Sequence, residues 1–475
     1  MPGGKKLLAA ALAVAALLLP VAAAGAAPPP IKHVFVLILE NEDADSTFGP
    51  NSKAPYLAKT LRARGAFVPG FFATGHLSLD NYVSMVSGQG PNPYTQADAP
   101  LYINFLPGTP GPNGQYIGQG SVYPAQVKTI ADQLDAAGGS WGGFMEDMAN
   151  SATGEPKACR HPANNPQDDT QSARPGDQYA TRHNPFMYFH SIIDTDARCK
   201  AHVVDLRRFP GALASASATP NYSFITPNLC HDGHDEPCTG SNEPGGLVSA
   251  NDFLKKWIPR ILASPAYRAD GLVLITFDEA ETHDASSCCG EVQGPNTPNN
   301  GGPTPGAGGG RVGAVLLSRF IKPGTVSKLE YNHYSALRSF EDLFGLAHLG
   351  YAGAAGLKPF GPDVFTNPSG ATLGPVPKPT LRLAFGRSLD PCTNARFRAT
   401  ATATGSGTRI VMRLDGEVVG RTRGKQLSVG IPAGKLAPGR HVVSATVTDR
   451  FGRKATRTRT FRRCGNSTQP PDNDD

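Results

Sequence analysis

Glu40 and Asn41 close an unbroken apolar run, Val34 to Leu39, and Asp278 and Glu279 close a second, Gly271 to Phe277. A carboxylate or carboxamide at the exit of a buried strand is costly unless something pairs with it. Oxygen donors of this kind suit a hard divalent cation, Ca²⁺, Mg²⁺ or Mn²⁺, with Zn²⁺ a further option. Glu40, Asn41 and Asp278 are the expected metal ligands, and Glu279 is a fourth ligand or a group supporting them. The rival reading makes Glu40 a helix cap or the partner of an arginine. Ser78 precedes a helix-like stretch, where backbone N–H groups near Leu79 and Asp80 can bind a phosphate. A hydroxyl beside a cation loses its proton more readily, so Ser78 is the candidate nucleophile. Thr74 is the alternative hydroxyl, and an N-cap role for Ser78 is the structural rival. His231, Asp232, His234 and Asp235 crowd into five residues. They suit a second metal site, or phosphate donors with an acid for a leaving group. His76, Asn81 and Asp232 are candidate substrate-binding groups. His333, just before a helix start, is a candidate phosphate donor or acid. His161, His183 and His283 read as loop or surface residues, His183 being the first exception to consider.

Elements must position these groups. The two apolar runs read as strands buried on both faces of a parallel sheet, whose ligands bind beyond the carboxyl ends. Strands are expected at 33–39, 141–145, 201–205, 222–225, 271–277 and 312–317. Helices are expected at Pro55–Arg64, Leu79–Val86, Ala125–Ala137, Leu247–Leu262 and Tyr334–Leu343. Alternation of this sort defines an α/β fold. Residues 290–310 are rich in Gly, Pro and Asn and read as an exposed insertion, a lid over the site being the alternative. Phe71-Phe72 and Leu101–Leu106 are the apolar segments that could meet a lipid.

The 475-residue chain exceeds one average domain. Residues 1–27 read as a signal peptide: Lys5 and Lys6, an apolar stretch from Leu7 to Leu19, then Ala24-Gly25-Ala26. No later segment is long and apolar enough to span a bilayer. Residues 28–370 form the expected catalytic domain and 371–380 a Pro/Gly linker. Residues 381–465 read as a small β-sandwich of immunoglobulin-like type, with Asp415-Gly416 as a hairpin turn. Residues 466–475 read as a disordered tail. An even number of cysteines, eight, favours disulfides in an exported chain. Spacing does not fix connectivity. The expected pairs are Cys159–Cys199, Cys230–Cys238 and Cys392–Cys464, with Cys288–Cys289 vicinal or exchanged. The net charge of +6 hides an asymmetry. Residues 376–465 hold 19 Lys+Arg against 4 Asp+Glu, a balance of +15, which leaves −9 on the rest of the chain. Export makes anionic envelope polymers or lipid head groups better partners for this basic region than nucleic acid, and a solvated Arg-rich β-surface is the plain alternative.

Five ordered segments carry a more specific likeness. They are Glu40-Asn41-Glu42 with Thr47-Phe48-Gly49; Thr74 to Tyr82 leading to Ser87-Gly88; Thr226 to Asp235; Ile275 to Glu279; and Asn332 to Glu341 with Phe344-Gly345-Leu346. Together they resemble the secreted phosphoesterase family of bacterial acid phosphatases and non-specific phospholipases C. Trp141 to Asp147 and His183-Asn184-Pro185-Phe186 look like further landmarks. The resemblance covers roughly residues 31–365. It implies an alkaline-phosphatase-like fold with a mostly parallel central sheet flanked by helices, and a phosphate ester substrate. It implies a metal-assisted phosphomonoesterase acting through a phosphoseryl intermediate on Ser78, with a phospholipase C-type diesterase as the alternative. His231, His234 and His333 would contact phosphate or protonate the leaving group. A non-catalytic envelope-binding protein with a degenerate hydrolase domain is the alternative of another class.

Overall fold

The computed structural model describes residues 27–151, 156–162, 167–371, 379–404, 407–449 and 454–465. The expected signal peptide up to residue 26, most of the linker and the tail from 466 lie outside the described residues. The strands of the central sheet are β1 (His33–Leu39), β2 (Ala66–Val68), β3 (Trp141–Met145), β4 (Val203–Asp205), β5 (Tyr222–Thr226), β6 (Gly271–Phe277), β7 (Ala314–Ser318) and β8 (Thr325–Val326). Their order across the sheet is β8-β2-β7-β6-β1-β5-β3-β4. β7 runs antiparallel to both neighbours and every other pairing is parallel. β1 lies at the centre, with Leu37 level with Ile225 on one side and Ile275 on the other. All seven residues of β1 and of β6 are buried, as an apolar run without alternation requires.

Three helices matter for the site: α1 (Ser78–Ser87), α2 (Gly246–Ala263) and α3 (His333–Phe344). Their apolar faces join the sheet in one core, with Leu79, Phe253, Trp257, Leu337 and Phe340 among its members. Ala125–Ala137 was too long an expectation. That helix starts only at Ile130, after Thr129, whose side chain forms a capping box with Asp132. Phe71 and Phe72 are buried and offer nothing to a lipid, whereas Leu101 and Leu106 are exposed.

The segment 290–310 is not a loose surface insertion. Asn300 is buried and its carbonyl accepts from His76 N at 3.3 Å. Gly309 donates to the Ala73 carbonyl at 3.1 Å and accepts from Ala280 N at 2.9 Å. A Cβ on Gly309 would lie 1.8 Å from the Gly75 carbonyl oxygen, so the missing side chain is what permits the contact.

The C-terminal strands are β9 (Thr380–Phe385), β10 (Phe397–Thr404), β11 (Gly407–Leu414), β12 (Glu417–Arg423), β13 (Gln426–Ile431), β14 (Gly439–Asp449) and β15 (Lys454–Arg463). They form antiparallel sheets ordered β9-β10-β13 and β12-β11-β14-β15. The inner faces share a second core, with Leu381, Phe397 and Ala399 from one sheet and Ile410, Met412 and Val443 from the other. Asp415 and Gly416 both take positive φ, 48° and 94°, as a tight hairpin turn demands. The eight cysteines form Cys159–Cys199, Cys230–Cys238, Cys288–Cys289 and Cys392–Cys464.

Glu341 on α3 is fully buried. One carboxyl oxygen accepts from Leu349 N at 2.9 Å, and the other has no partner among the described residues. Burial pushes its pKa up to about 9 from 4.5. Between those values the folded chain holds a proton that the unfolded chain has lost, so stability falls as pH rises through this window. Glu341→Gln mimics the protonated form and keeps the acceptor. It is expected to raise unfolding free energy by roughly 1–3 kcal/mol at pH 8 and to change it little at pH 4. Denaturant midpoints at the two pH values check this, and an equal change at both, or a loss at pH 8, would contradict it.

Candidate functional site

Three adjacent strands, β5, β1 and β6, deliver carboxylates to one point beyond their carboxyl ends. Glu40 follows β1 and Asp278 follows β6, while Asp232 sits six residues past β5. Backbone bonds hold them in register: Glu40 N donates to Asp232 O at 2.9 Å, and Asp278 N to Leu39 O at 2.8 Å. All three side chains are fully buried. Burial pushes the Glu40 carboxyl well above its ordinary range, and the charges of Asp278 and Asp232 push it the same way. Asp232 and Asp278 are raised as well, first by burial. These are like charges crowded in a dry site.

Ser78 is the first residue of α1, and its Oγ donates to Glu40 Oε2 at 2.8 Å. Tyr82, one turn later on the same helix face, donates its hydroxyl to Glu40 Oε1. Asn41 N donates to Asp278 Oδ1 at 3.1 Å, and Asn41 Nδ2 to Glu279 Oε1 at 3.0 Å. Asn41 and Leu77 take φ of 53° and 72°. For non-glycine residues this is a strained backbone, and it brackets the site on both sides.

Several expected contacts resolve differently. Asn81 does not face the site. Its Oδ1 accepts from Thr74 N (3.0 Å) and Gly75 N (3.1 Å), and its Nδ2 donates to Gly75 O (2.7 Å) and Leu77 O (3.1 Å). It shapes the turn that presents Ser78. The alternative hydroxyl, Thr74 Oγ1, is engaged by Asn81 Oδ1 and by Ser84 Oγ at 2.8 Å. His76 bonds Glu279 through Nδ1 and the Asp284 carbonyl, at 2.8 Å, through Nε2, so it braces Glu279. His333 is buried, with Nε2 3.1 Å from the Phe277 carbonyl, and burial lowers its pKa to about 4. It backs the end of β6. His231 turns to Glu146 (2.8 Å) and Glu243 (3.0 Å). His234 is half exposed at the rim, 3.7 Å from Asp235. The expected phosphate-binding amides are also occupied: Leu79 N donates to Asp98 Oδ1 at 3.0 Å, a carboxylate at a helix N-terminus.

Four residues enter that the sequence reading left aside. His183 is buried between Glu40 Oε2 (3.4 Å) and Asp232 Oδ2 (3.8 Å), with its ring stacked on Tyr82. Burial holds it well below its ordinary pKa, with Arg182 and His234 adding to the effect, so it is neutral. Arg182 Nε lies 3.5 Å from Asp98 Oδ2. Tyr82 could have been found by its four-residue spacing from Ser78, and His183 by its place in the landmark His183-Asn184-Pro185-Phe186. Asp98 had no signal beyond a polar loop.

The residues present fit a hard cation. Among the described residues Asp278 Oδ2, Asp232 Oδ2 and Asn41 Oδ1 are buried without a hydrogen-bond partner, as are the nitrogens of His183, one of which, in the neutral ring, offers a lone pair. Orphaned donor atoms of this type around crowded carboxylates are what a divalent ion satisfies.

A buried polar centre thus lies at the carboxyl ends of the strands of a mostly parallel sheet, in a mixed α/β architecture. The phosphoesterase family model matches residues 51–347, and the chain belongs to that family. Over 315 residues it is 28% identical to a phosphate-repressible acid phosphatase of Penicillium chrysogenum, spanning 66% of this chain and 58% of that one. It is 24% identical to a phosphatidylinositol-3-phosphatase of Mycobacterium tuberculosis, across 67% of this chain and 79% of that one. The chain thus spans about three fifths of the length of the fungal relatives it matches. A phosphonate monoester hydrolase from Silicibacter pomeroyi superposes with a TM-score of 0.39 at 9% identity, over 79% of this chain and 87% of that one.

The turned-away His231 yields a prediction. Burial alone would lower its pKa, but Glu146 and Glu243 raise it to about 9. Its stabilisation is therefore complete below about pH 6.5 and lost as pH rises through 9. His231→Ala is expected to cost roughly 1–3 kcal/mol at pH 6 and markedly less at pH 10. Thermal melts across that range test it, and a pH-independent loss would show that the imidazolium is not what matters.

Proposed function

We propose that the protein is a phosphoric ester hydrolase, acting first on phosphomonoesters, with Ser78 as nucleophile. The observation that carries this is the Ser78 hydroxyl pointed at Glu40 from the start of a helix. The names of the relatives, acid phosphatase and phosphatidylinositol-3-phosphatase, support the class of substrate. Glu40 receives the Ser78 proton as Oγ attacks phosphorus, and the ester oxygen departs with its electron pair. Water then attacks phosphorus, the Oγ–P bond breaks, Oγ recovers the proton held by Glu40, and phosphate leaves carrying the water's oxygen and proton. Tyr82, donating to the other Glu40 oxygen, fixes that carboxylate in place. Arg182 supplies positive charge beside the reacting group. His234, exposed beside Asp235, would give the departing alcohol its proton.

Glu40, Asn41 and Asp278 would hold a divalent cation, with Asp232 and His183 as further available groups. When bound, that ion neutralises charge developing on phosphate oxygens. Glu279 belongs to the supporting shell, since Asn41, His76 and the Leu77 amide already occupy its oxygens.

Ser78→Ala is expected to abolish a labelled phosphoryl-enzyme trapped by acid quench, with the melting temperature retained. Label on another residue, or near-normal turnover of an aryl phosphate, would remove Ser78 from this role. Asp278→Asn is expected to lower bound metal per chain severalfold and turnover by at least a hundredfold. Elemental analysis and rates together decide it, and full metal with full rate would exclude Asp278. Comparing an aryl phosphate with a choline phosphodiester separates monoesterase from phospholipase C action.

A further inference from the structure

Basic charge is concentrated in the C-terminal sandwich. Arg440 on β14 stands directly opposite Arg462 on β15, and Arg409 on β11 opposite Arg423 on β12. Like charges opposed across a ladder destabilise a sheet. The salt bridge of His441 with Asp415 uses none of the four. All four are exposed, on the face of the four-stranded sheet turned away from its core.

A cleft of about 660 Å³ opens where β14 begins and β15 ends, closed on its other side by the chain following β9. Arg387, Arg440, Arg459 and Arg462 line it, Phe385 and Phe461 give it an apolar wall, and Asp390 is its acidic residue. Two of the arginines are already positioned. Arg459 lies over the Phe385 ring at 4.9 Å, and Arg387 Nη2 donates to Thr393 Oγ1 (2.7 Å) and Ala395 O (3.0 Å). Arg440 and Arg462 belong both to the cleft and to the outward sheet face, where, past the neutral pair Val442 and Thr460, Arg413, Arg421 and Lys454 follow on successive rows.

The geometry points to a binding site for a linear polymer of phosphate groups. One phosphate sits in the cleft and its neighbours follow the outward face of the sheet. Guanidinium forks arriving from a loop and from two strands suit a tetrahedral phosphate, which accepts in several directions; a planar carboxylate accepts within one plane. A single small anion would need only the cleft, whereas the continuation of charge along the sheet matches a chain of anions. Each contact releases counterions, so binding weakens as salt rises. The site stands or falls independently of the role of Ser78.

The test uses the full chain and fluorescently labelled long-chain polyphosphate, with anisotropy read at 50 and 300 mM salt. Binding is expected at the lower salt, weakened at least tenfold by R440E/R462E. It should weaken less than threefold in K425E/K435E, which makes the same change in net charge away from the cleft. Melting curves check that both variants fold, and R440Q/R462Q replaces the reversal if it does not. Equal weakening in the two double variants would overturn the site, leaving only net charge. Failure of the parent chain to bind polyphosphate while binding phosphatidylglycerol vesicles would overturn it in favour of a membrane surface.

Discussion

Repulsion between buried carboxylates governs this structure. Glu40, Asp232 and Asp278 are brought together because parallel strands end side by side, and nothing in the ladder can spread them apart. Each loses hydration and gains a like-charged neighbour, so all three hold their protons more tightly than in water. The surroundings answer this with hydroxyl donors from one helix face, amide donors at Asn41 and His234, and an uncharged imidazole. That centre also explains why strained backbone is tolerated at Asn41 and Leu77. Both turns are over-determined by bonds to Asp278 and Glu279.

A second layer fixes the first. Asn81 fastens the turn before α1, His76 clamps Glu279, and Asp98 caps the helix while pairing with Arg182. All three are committed to protein partners, and each fixes the direction of a neighbouring group: the turn before Ser78, Glu279 and Arg182. The division explains why a cluster of conspicuous polar residues in the sequence separates, once folded, into groups that face the centre and groups that face its supports.

Long-range order was largely legible in the chain. Residues 33–39, 141–145 and 271–277 are strands as read, because a branched apolar run bounded by polar residues has few other solutions. The carboxylates at their ends followed from the cost of burying them. Side-chain direction was less accessible. His231 and Asp232 are adjacent, but one faces Glu146 and Glu243 outside the centre while the other enters it, and spacing alone does not assign which. His183 reaches Glu40 across 143 positions of sequence, from a polar stretch without periodicity, so its landmark singled it out while its partner emerges only in the folded chain. β2 and β8 escaped notice because two or three residues carry no period.

The glycine-rich stretch 290–310 has a thermodynamic corollary. It owes its order to main-chain bonds with Ala73, His76 and Ala280, to close backbone approach, and to the side chains of Asn296, Thr297 and Asn300, which bond Tyr116, Gln96 and the segment's own backbone. Such a segment has no independent free-energy minimum, so its opening is coupled to displacement of the turn that carries Ser78. Amide protons there and in residues 73–76 should belong to one exchange unit. The flexibility suggested by its composition is thereby converted into cooperativity with the turn that precedes Ser78.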